Sequence, residues 1–144
     1  MSKKIIALIM SAIILVLTVI GVSFIFQKHA LDYDRHLIAD VYVDTAINQN
    51  VNLVFYKTGC PFCQAGKKAV VTAAKENAYT TFYIDVDSDK GQQLVKQYQV
   101  EKAATIITLR DGESQLHLYA KKTQAGKIIA DEESIKEALH DTKN

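Results

Sequence analysis

The stretch Val51-Asn-Leu-Val-Phe-Tyr-Lys-Thr-Gly-Cys-Pro-Phe-Cys63 decides the fold of this chain. Its first half, Val51–Tyr56, is a short and mostly apolar run that stops at a Thr58-Gly59 turn, which predicts a central strand covered on both faces. Pro61 follows the turn, and proline is favoured at the first position of a helix because its missing N–H would be unpaired there anyway. The sequence therefore predicts a strand, a tight turn and a helix that opens between two cysteines.

Outside this stretch, apolar periodicity and turn residues predict further helices and strands. In chain order, these are a helix over His36–Ile47, a strand over Thr80–Val86, a helix capped by Ser88 or Asp89, a strand over Thr105–Leu109, a hairpin turn at Asp111-Gly112, a half-exposed strand over Ser114–Tyr119, a polar loop over Lys121–Lys127 and a last helix capped by Asp131. In the helix after Pro61, the stripe predicted to face inward is Phe62, Ala65, Ala69, Val70, Ala73 and Ala74. This order predicts an α/β fold, in which a mixed central sheet is flanked by helices.

The N-terminal segment is predicted to be a transmembrane helix. Ile5–Phe26 is a run of 22 positions without a charged side chain, and a helix needs about 20 apolar residues to cross a membrane. A cleaved signal peptide is the alternative, but its apolar core is normally only about 7–15 residues long, and Gly21–Ser23 offers a weak cleavage site. We therefore expect an anchor over residues 1–27 that contacts the membrane through residues 5–26.

A polar linker over residues 28–35 and one domain over residues 36–144 are expected to follow the anchor. Lys3 and Lys4 precede the apolar run, while Lys28 and Arg35 follow it, so the positive-inside signal is nearly balanced. The very short N-terminal flank favours an N-terminus in the cytoplasm. The expected location is thus the cell membrane, with a single pass and the C-terminal domain outside the cytoplasm, and a cleaved, secreted form remains the alternative.

The composition argues against a nucleic-acid partner and against a disulfide-stapled fold. The formal net charge is +1, and the basic residues do not gather on one predicted element. The chain has two cysteines, Cys60 and Cys63, and a bridge between them closes too small a loop to stabilise a fold. We therefore expect this pair to serve chemistry.

The position of the two cysteines favours thiol–disulfide exchange. Cys60 is expected at a helix N-terminus, where unpaired N–H groups and the helix dipole favour the thiolate that attacks disulfides. Cys63 lies one turn further on the same face, close enough to resolve a mixed disulfide. Phe62 adds apolar surface beside the sulfur and is a candidate substrate contact. Lys57, if it points inward, is a candidate for tuning the acidity of the thiol.

Two other interpretations of the cysteine pair remain open. A zinc site would need further ligands, but there is no second cysteine pair, and the four histidines stand at no ligand spacing: His29, His36, His117 and His140. No metal is therefore expected. Two ordinary buried thiols are the other alternative, which the strand–Cys-Pro-x-Cys–helix context disfavours.

Several segments that follow one another along the chain resemble the thioredoxin superfamily. They are Leu53–Cys63 with its helix, Phe82-Tyr-Ile-Asp-Val-Asp87, a helix ending in Tyr98-Gln-Val100, and Thr105–Gly112, and together they span about Val51–Tyr119. The Pro61-Phe62 spacer between the cysteines is more similar to that of glutaredoxins than to that of thioredoxin itself. The resemblance extends to small membrane-anchored proteins of Gram-positive bacteria, including accessory proteins of bacteriocin transport. It implies a thioredoxin-like fold in which Cys60 is the nucleophile and Cys63 resolves the mixed disulfide.

The sequence departs from the family pattern at three positions. Gly59 replaces a tryptophan before the first cysteine, Val54 replaces a buried acid, and Ala104 replaces a cis-proline that precedes Thr105. A cis bond before a non-proline residue costs about 2.5–4 kcal/mol, so the Ala103–Ala104 bond is expected either to be trans or to be held cis as strain. The resemblance implies that Ala103, Ala104 and Thr105 bind substrate together with Phe62.

The sequence leads us to expect a membrane-anchored, extracytoplasmic thiol–disulfide oxidoreductase. Its expected substrates are thiols and disulfides of exported or surface proteins, and its redox-active group is the Cys60–Cys63 disulfide, without another cofactor. A membrane or extracytoplasmic redox partner would recycle the pair. The alternative is a non-turnover thioredoxin-fold adaptor of an export, bacteriocin or conjugation system that docks near Ala104. The direction of exchange depends on the relative stability of the two redox states, which sequence does not give.

Overall fold

The computed structural model describes residues 3–30, 32–33, 37–39, 42 and 50–140, and the chain divides into two compact units between Asp32 and Tyr33. The first unit contains helix α1 (Lys3–Ala30). Within it, Leu8–Phe26 has a mean hydropathy of 2.8 and no buried residue. These residues rise by about 28 Å along the helix axis, close to the thickness of the hydrocarbon core. Helix α1 is thus long and apolar enough to cross a membrane, a criterion that a signal sequence also meets.

The second unit is built on a four-stranded sheet whose strands are β1 (Val51–Tyr56), β2 (Thr80–Asp85), β3 (Thr105–Arg110) and β4 (Glu113–Leu118). The strand order is β2-β1-β3-β4. Strand β1 runs parallel to β2 and antiparallel to β3, and β3 runs antiparallel to β4. The mixed sheet confirms the predicted fold class, and each strand lies within one residue of its predicted bounds.

Strand β1 is central, as predicted, because all six of its residues are buried. Alternate side chains of a strand point to opposite faces. Leu53 and Phe55 belong to a core cluster that also contains Leu94 and Ile107, while Val54 points to the other face and is fully buried. Burial on both faces fixes the position of β1 and therefore of the turn that follows it.

In the described part of this unit, three helices pack around the sheet: α2 (Pro61–Glu76), α3 (Asp89–Gln97) and α4 (Glu132–Ala138). The hydroxyl of Ser88 accepts the N–H of Gly91 at 3.0 Å, and the carboxylate of Asp131 accepts the N–H of Ser134 at 3.4 Å. Both residues are therefore N-caps, as the sequence predicted. The three residues of the last helical segment predicted to face inward are buried: Ile135, Ala138 and Leu139.

The buried face of α2 differs from the predicted stripe. The helix buries Cys63, Gly66, Val70 and Val71, whereas the other five positions of the predicted stripe are only partly buried: Phe62, Ala65, Ala69, Ala73 and Ala74. Three of these alanines line a groove between α2 and α4: Ala65, Ala69 and Ala73. The prediction was thus correct for Val70, while most of the stripe lies one residue away from the most buried positions. Periodicity left out Gly66 because it assigns no inward position to a glycine.

The predicted polar loop over Lys121–Lys127 is wrong in part. It contains the end of β5 (Ala120–Lys122) and the turn before β6 (Ile128–Ala130), which pair as an antiparallel hairpin. The N–H of Thr123 donates to the carbonyl of Lys127 at 2.8 Å and closes the turn. Strands of three residues are too short to show a periodic pattern in sequence.

Two predicted segments lie wholly or partly outside the described residues. From the predicted helix over residues 36–47, Ile38 pairs with Tyr83 as an isolated parallel bridge, and the N–H of Tyr42 donates to the carbonyl of Ile38 at 3.4 Å. From the predicted linker over residues 28–35, α1 includes residues 28–30. Tyr33 belongs to the second unit and is 3 % exposed. The boundary between the units thus falls within that predicted linker.

Candidate active site

A tight turn carries the chain from the end of β1 into α2. The N–H of Cys60 donates to the carbonyl of Lys57 at 3.2 Å and closes a four-residue turn. Gly59 occupies the third position of this turn with φ +77°, a left-handed conformation that glycine adopts without a steric penalty. The glycine that replaces the family's tryptophan is therefore what this turn requires, since a residue with a Cβ would be strained there.

Cys60 is the N-cap of α2. Its backbone is extended, its Sγ accepts the backbone N–H of Cys63 at 3.3 Å, and Pro61 occupies the first turn of the helix. The carbonyl of Cys60 accepts the N–H of Gln64 at 3.0 Å. An N–H donor and the positive end of the helix dipole favour a thiolate at this position. The structure thus places Cys60 where the sequence predicted it.

The two thiols differ in exposure, and the buried one has a raised pKa. Both are free; Cys60 is partly exposed, whereas Cys63 is 2 % exposed. Burial raises the pKa of the Cys63 thiol to about 11, and a hydrogen bond with Cys60 acts in the same direction. Hydrogen bonds from the Lys57 backbone and the Tyr119 hydroxyl oppose this rise in pKa. At neutral pH, Cys63 therefore keeps its proton.

Two buried tyrosines surround the inner side of Cys63. The hydroxyl of Tyr119 donates to the carbonyl of Phe55 at 3.1 Å and lies within hydrogen-bonding reach of the Cys63 thiol. The hydroxyl of Tyr33 lies 3.5 Å from both the Tyr119 hydroxyl and the carbonyl of Cys63. Burial raises the pKa of both tyrosines, so both stay protonated. The sulfur of Cys63 is thus next to a neutral donor.

The ammonium of Lys57 pairs with a carboxylate. Its Nζ lies 2.8 Å from Oδ1 of Asp87, and both side chains are about half exposed. This hydrogen bond and the charge of Asp87 raise the pKa of Lys57, and the charge of Cys60 makes a smaller contribution. The predicted tuning of the thiol by Lys57 stays a prediction, because the closest contact of its side chain is with Asp87.

The residues Ala103–Thr105 lie at the same end of the sheet as the start of α2. Strand β3 pairs antiparallel with β1, so Thr105 lies opposite Phe55 near the carboxyl end of β1. Every peptide bond among the described residues is trans. The Ala103–Ala104 bond is therefore trans, the first of the two conformations expected from the sequence, and is not held cis as strain. Ala104 and Thr105 are buried, while Ala103 is partly exposed. Substrate binding by these residues and by the partly buried Phe62 stays a prediction.

The carbonyls of this loop are already paired within the domain. The carbonyl of Ala103 accepts the N–H of Thr105 at 2.8 Å, and that of Ala104 accepts the N–H of Tyr119 at 3.2 Å. Each of these oxygens keeps a second lone pair that is able to accept a further hydrogen bond from a protein substrate. Across the described ranges, no group of three or more His, Cys, Asp or Glu side chains is arranged to hold a metal ion.

Sequence reasoning missed Tyr33 and Tyr119. The first falls in the predicted linker and the second at the end of a predicted strand, and each reaches Cys63 across a long separation in sequence. The available signal was Gly66, since a glycine inside a helix often marks a close approach by another part of the chain.

Comparison with models of known protein families gave a match. The sequence model of the thioredoxin family matches residues 36–134. This range covers more than half of the chain and includes Cys60, Cys63 and Ala104. No curated protein matches the sequence.

Proposed function

This chain belongs to the thioredoxin family, and on that premise we propose that it is a membrane-anchored, extracytoplasmic thiol–disulfide oxidoreductase. One observation carries the proposal: a partly exposed Cys60 sulfur accepts an N–H at the start of α2, while the second thiol is buried beside it. A pair that served only to fill the core would have no need of a helix N-terminus or of access to solvent.

In the reducing direction, the exchange takes two steps. The Cys60 thiolate attacks one sulfur of the substrate disulfide, the S–S bond breaks, and the other substrate sulfur leaves as a thiolate that takes up a proton. Cys63 then loses its proton and attacks the Cys60 sulfur. The Cys60–Cys63 disulfide forms, and the first substrate sulfur leaves as a thiolate and is protonated. The protein is oxidised by two electrons, and the substrate gains those electrons and two protons.

The proposed location rests on α1. A helix of this length and hydropathy suits a single membrane pass, and we place the domain that follows it outside the cytoplasm. Outside the cytoplasm, disulfides of exported and surface proteins persist. These are the proposed substrates, and a membrane or extracytoplasmic redox partner is proposed to restore the pair after each turnover.

Turnover of a model disulfide by the reduced full chain in detergent micelles tests the proposal. We expect Cys60→Ser to lower the rate to that of the uncatalysed reaction, because the attacking sulfur is lost. Cys63→Ser, the matched loss of one thiol, should stop after the first step, leaving a mixed disulfide on Cys60 that mass spectrometry detects. A mixed disulfide on Cys63 in Cys60→Ser, or reduction above the uncatalysed rate in that variant, would contradict the assigned roles.

A non-turnover adaptor is the second candidate function, and the observation that favours it is Ala104, in a trans peptide bond, at the position of the family's cis-proline. An adaptor would bind its partner beside this loop without exchanging disulfides. The same assay separates the two candidates, since an intact, reduced chain that shows no exchange above background would support the adaptor.

A further inference from the structure

We propose that Tyr119 is a positioning residue for the second step, in which its hydroxyl donates a hydrogen bond to the Cys63 thiolate. The inference rests on the proposed function and deepens it by assigning what prepares the buried sulfur. Cys63 has to become an anion in order to attack, and the interior of the domain disfavours an anion that no donor stabilises.

The backbone of Tyr119 is held at both of its polar groups. The residue lies between β4 and β5; its N–H donates to the carbonyl of Ala104 at 3.2 Å, and its carbonyl accepts the N–H of Asp131 at 3.0 Å. Its side chain is fully buried. Tyr119 is thus hydrogen-bonded through its backbone to Ala104, before β3, and to Asp131, the N-cap of α4.

Gly66 makes room for the ring of Tyr119 on α2. A Cβ at this glycine, one turn beyond Cys63, would lie 2.7 Å from the carbonyl oxygen of Tyr119 and would overlap its ring. The helix therefore lacks a side chain at the place where the ring packs against it. This fit directs the hydroxyl to the region between the end of β1 and the sulfur of Cys63.

The hydroxyl of Tyr119 has one proton and two acceptors within reach. It donates to the carbonyl of Phe55 at 3.1 Å, and the thiol of Cys63 is close enough to interact with it. A thiolate is a stronger acceptor than a neutral carbonyl, so rotation of the hydroxyl toward the sulfur is favoured once Cys63 loses its proton. The hydroxyl of Tyr33, 3.5 Å away, can donate to the Tyr119 oxygen in either orientation.

Tyr119 acts as a donor and not as a base. Burial raises its pKa, so it keeps its proton throughout the exchange. The proton that Cys63 loses ends on the departing substrate thiolate by way of solvent. The titratable groups that interact with Cys63 are Cys60 at the start of α2 and the two tyrosines, and Lys67 lies over the ring of Tyr33 at 5.3 Å.

Tyr119→Phe tests the proposal, because it keeps the ring and removes only the hydroxyl. The first measurement is the titration of Cys63 by carbon-13 NMR of its labelled Cβ, in the full chain in micelles with Cys60→Ala, a background that needs no activity. Loss of a hydrogen bond to a charged group should move the titration upward by about one pH unit. The second measurement is the single-turnover rate at which the mixed disulfide is resolved, with Cys60 present.

The resolution rate in Tyr119→Phe should fall about threefold at neutral pH. A tenfold smaller thiolate fraction is partly offset by the greater nucleophilicity of a more basic thiolate. Formation of the mixed disulfide by Cys60 should keep its rate. Tyr33→Phe should change the titration and the resolution rate in the same direction by a smaller factor, because it removes the donor to Tyr119.

Tyr98→Phe is the matched control. It removes a hydroxyl from another tyrosine pair, in which the oxygens of Tyr42 and Tyr98 are 2.7 Å apart. An unchanged Cys63 titration in Tyr119→Phe, or an equal change in Tyr98→Phe, would overturn the inference while leaving the proposed function in place. Absence of exchange by the wild type, together with the upward shift in titration, would instead overturn the proposed function alone.

Discussion

At the level of single residues, the two cysteines of one motif differ because they occupy different positions at the start of α2. Cys60 precedes the helix and receives a backbone N–H, whereas Cys63 is inside the first turn and faces the sheet. Desolvation of the second sulfur favours its neutral form. The order of attack in the proposed exchange follows from this asymmetry, since only the first sulfur is both exposed and supplied with donors.

The raised pKa of Cys63 predicts how the stability of the reduced protein depends on pH. In the unfolded chain this thiol ionises near pH 8.5, but in the folded chain its pKa is about 11. The stabilising contribution is complete below about pH 8.5 and is lost as pH rises to about 11, because the unfolded state releases its proton first. Reduced wild type should therefore lose stability relative to Cys63→Ala over this range.

Urea unfolding of the reduced fragment of residues 31–144 measures this difference between wild type and Cys63→Ala. Four tyrosines with raised pKa, of which Tyr98 is only partly buried, titrate in both proteins, so their effects largely cancel: Tyr33, Tyr83, Tyr98 and Tyr119. A difference in unfolding free energy that stays constant from pH 8 to pH 11 would show that Cys63 is not desolvated as described.

At the scale of elements, α2 depends on a glycine that helix propensity disfavours. Alanine at an open helical site is about 1 kcal/mol more stable than glycine. At Gly66, however, an added methyl group would meet the ring and the carbonyl of Tyr119, and overpacking of this kind costs about 1–3 kcal/mol. The close approach of Tyr119 is therefore expected to outweigh the local propensity.

Gly66→Ala should lower the free energy of unfolding by up to about 2 kcal/mol, the overpacking cost less the gain in propensity. Urea denaturation of the fragment of residues 31–144 measures the change. Lys68→Ala, at an exposed position of the same helix, should change the stability by less than about 0.5 kcal/mol. A stability gain in Gly66→Ala would mean that Tyr119 does not pack against α2 as described.

The strands and helix starts could be predicted from sequence because local chemistry determines them. Pro61, Ser88 and Asp131 each begin a helix in a way that the residue type alone favours. The hairpin turn at Asp111-Gly112 was equally predictable, since both residues have positive φ, at 50° and 86°, as a two-residue turn requires.

The surroundings of Cys63 could not be predicted in the same way. Tyr33 and Tyr119 reach it across 30 and 56 positions of sequence, and no periodic pattern records contacts over such distances. The partner of Lys57 was hidden for the same reason, since Asp87 is 30 positions away. The local sequence was thus sufficient to identify the Cys60–Cys63 pair. The groups around the Cys63 sulfur could be identified only from the folded structure.

At the scale of the whole molecule, the chain combines an apolar helix with a thioredoxin domain. Each unit was predictable by a different signal, hydropathy for α1 and the order of motifs for the domain. Hydropathy alone does not separate a membrane anchor from a signal sequence, because both present an apolar helix near the N-terminus. The side of the membrane follows from flanking charges, which here are nearly balanced.

Alkylation of cells that carry the full chain tests most directly whether Cys60 is the exposed, reactive sulfur of an extracytoplasmic pair. Intact cells are mildly reduced and treated at neutral pH with a membrane-impermeant thiol reagent, and the modified peptide is then mapped by mass spectrometry, with Cys60→Ser and lysed cells as controls. We expect intact cells to show modification at Cys60 and little at Cys63. Modification of Cys63 in preference to Cys60, or of Cys60 only after lysis, would contradict this expectation.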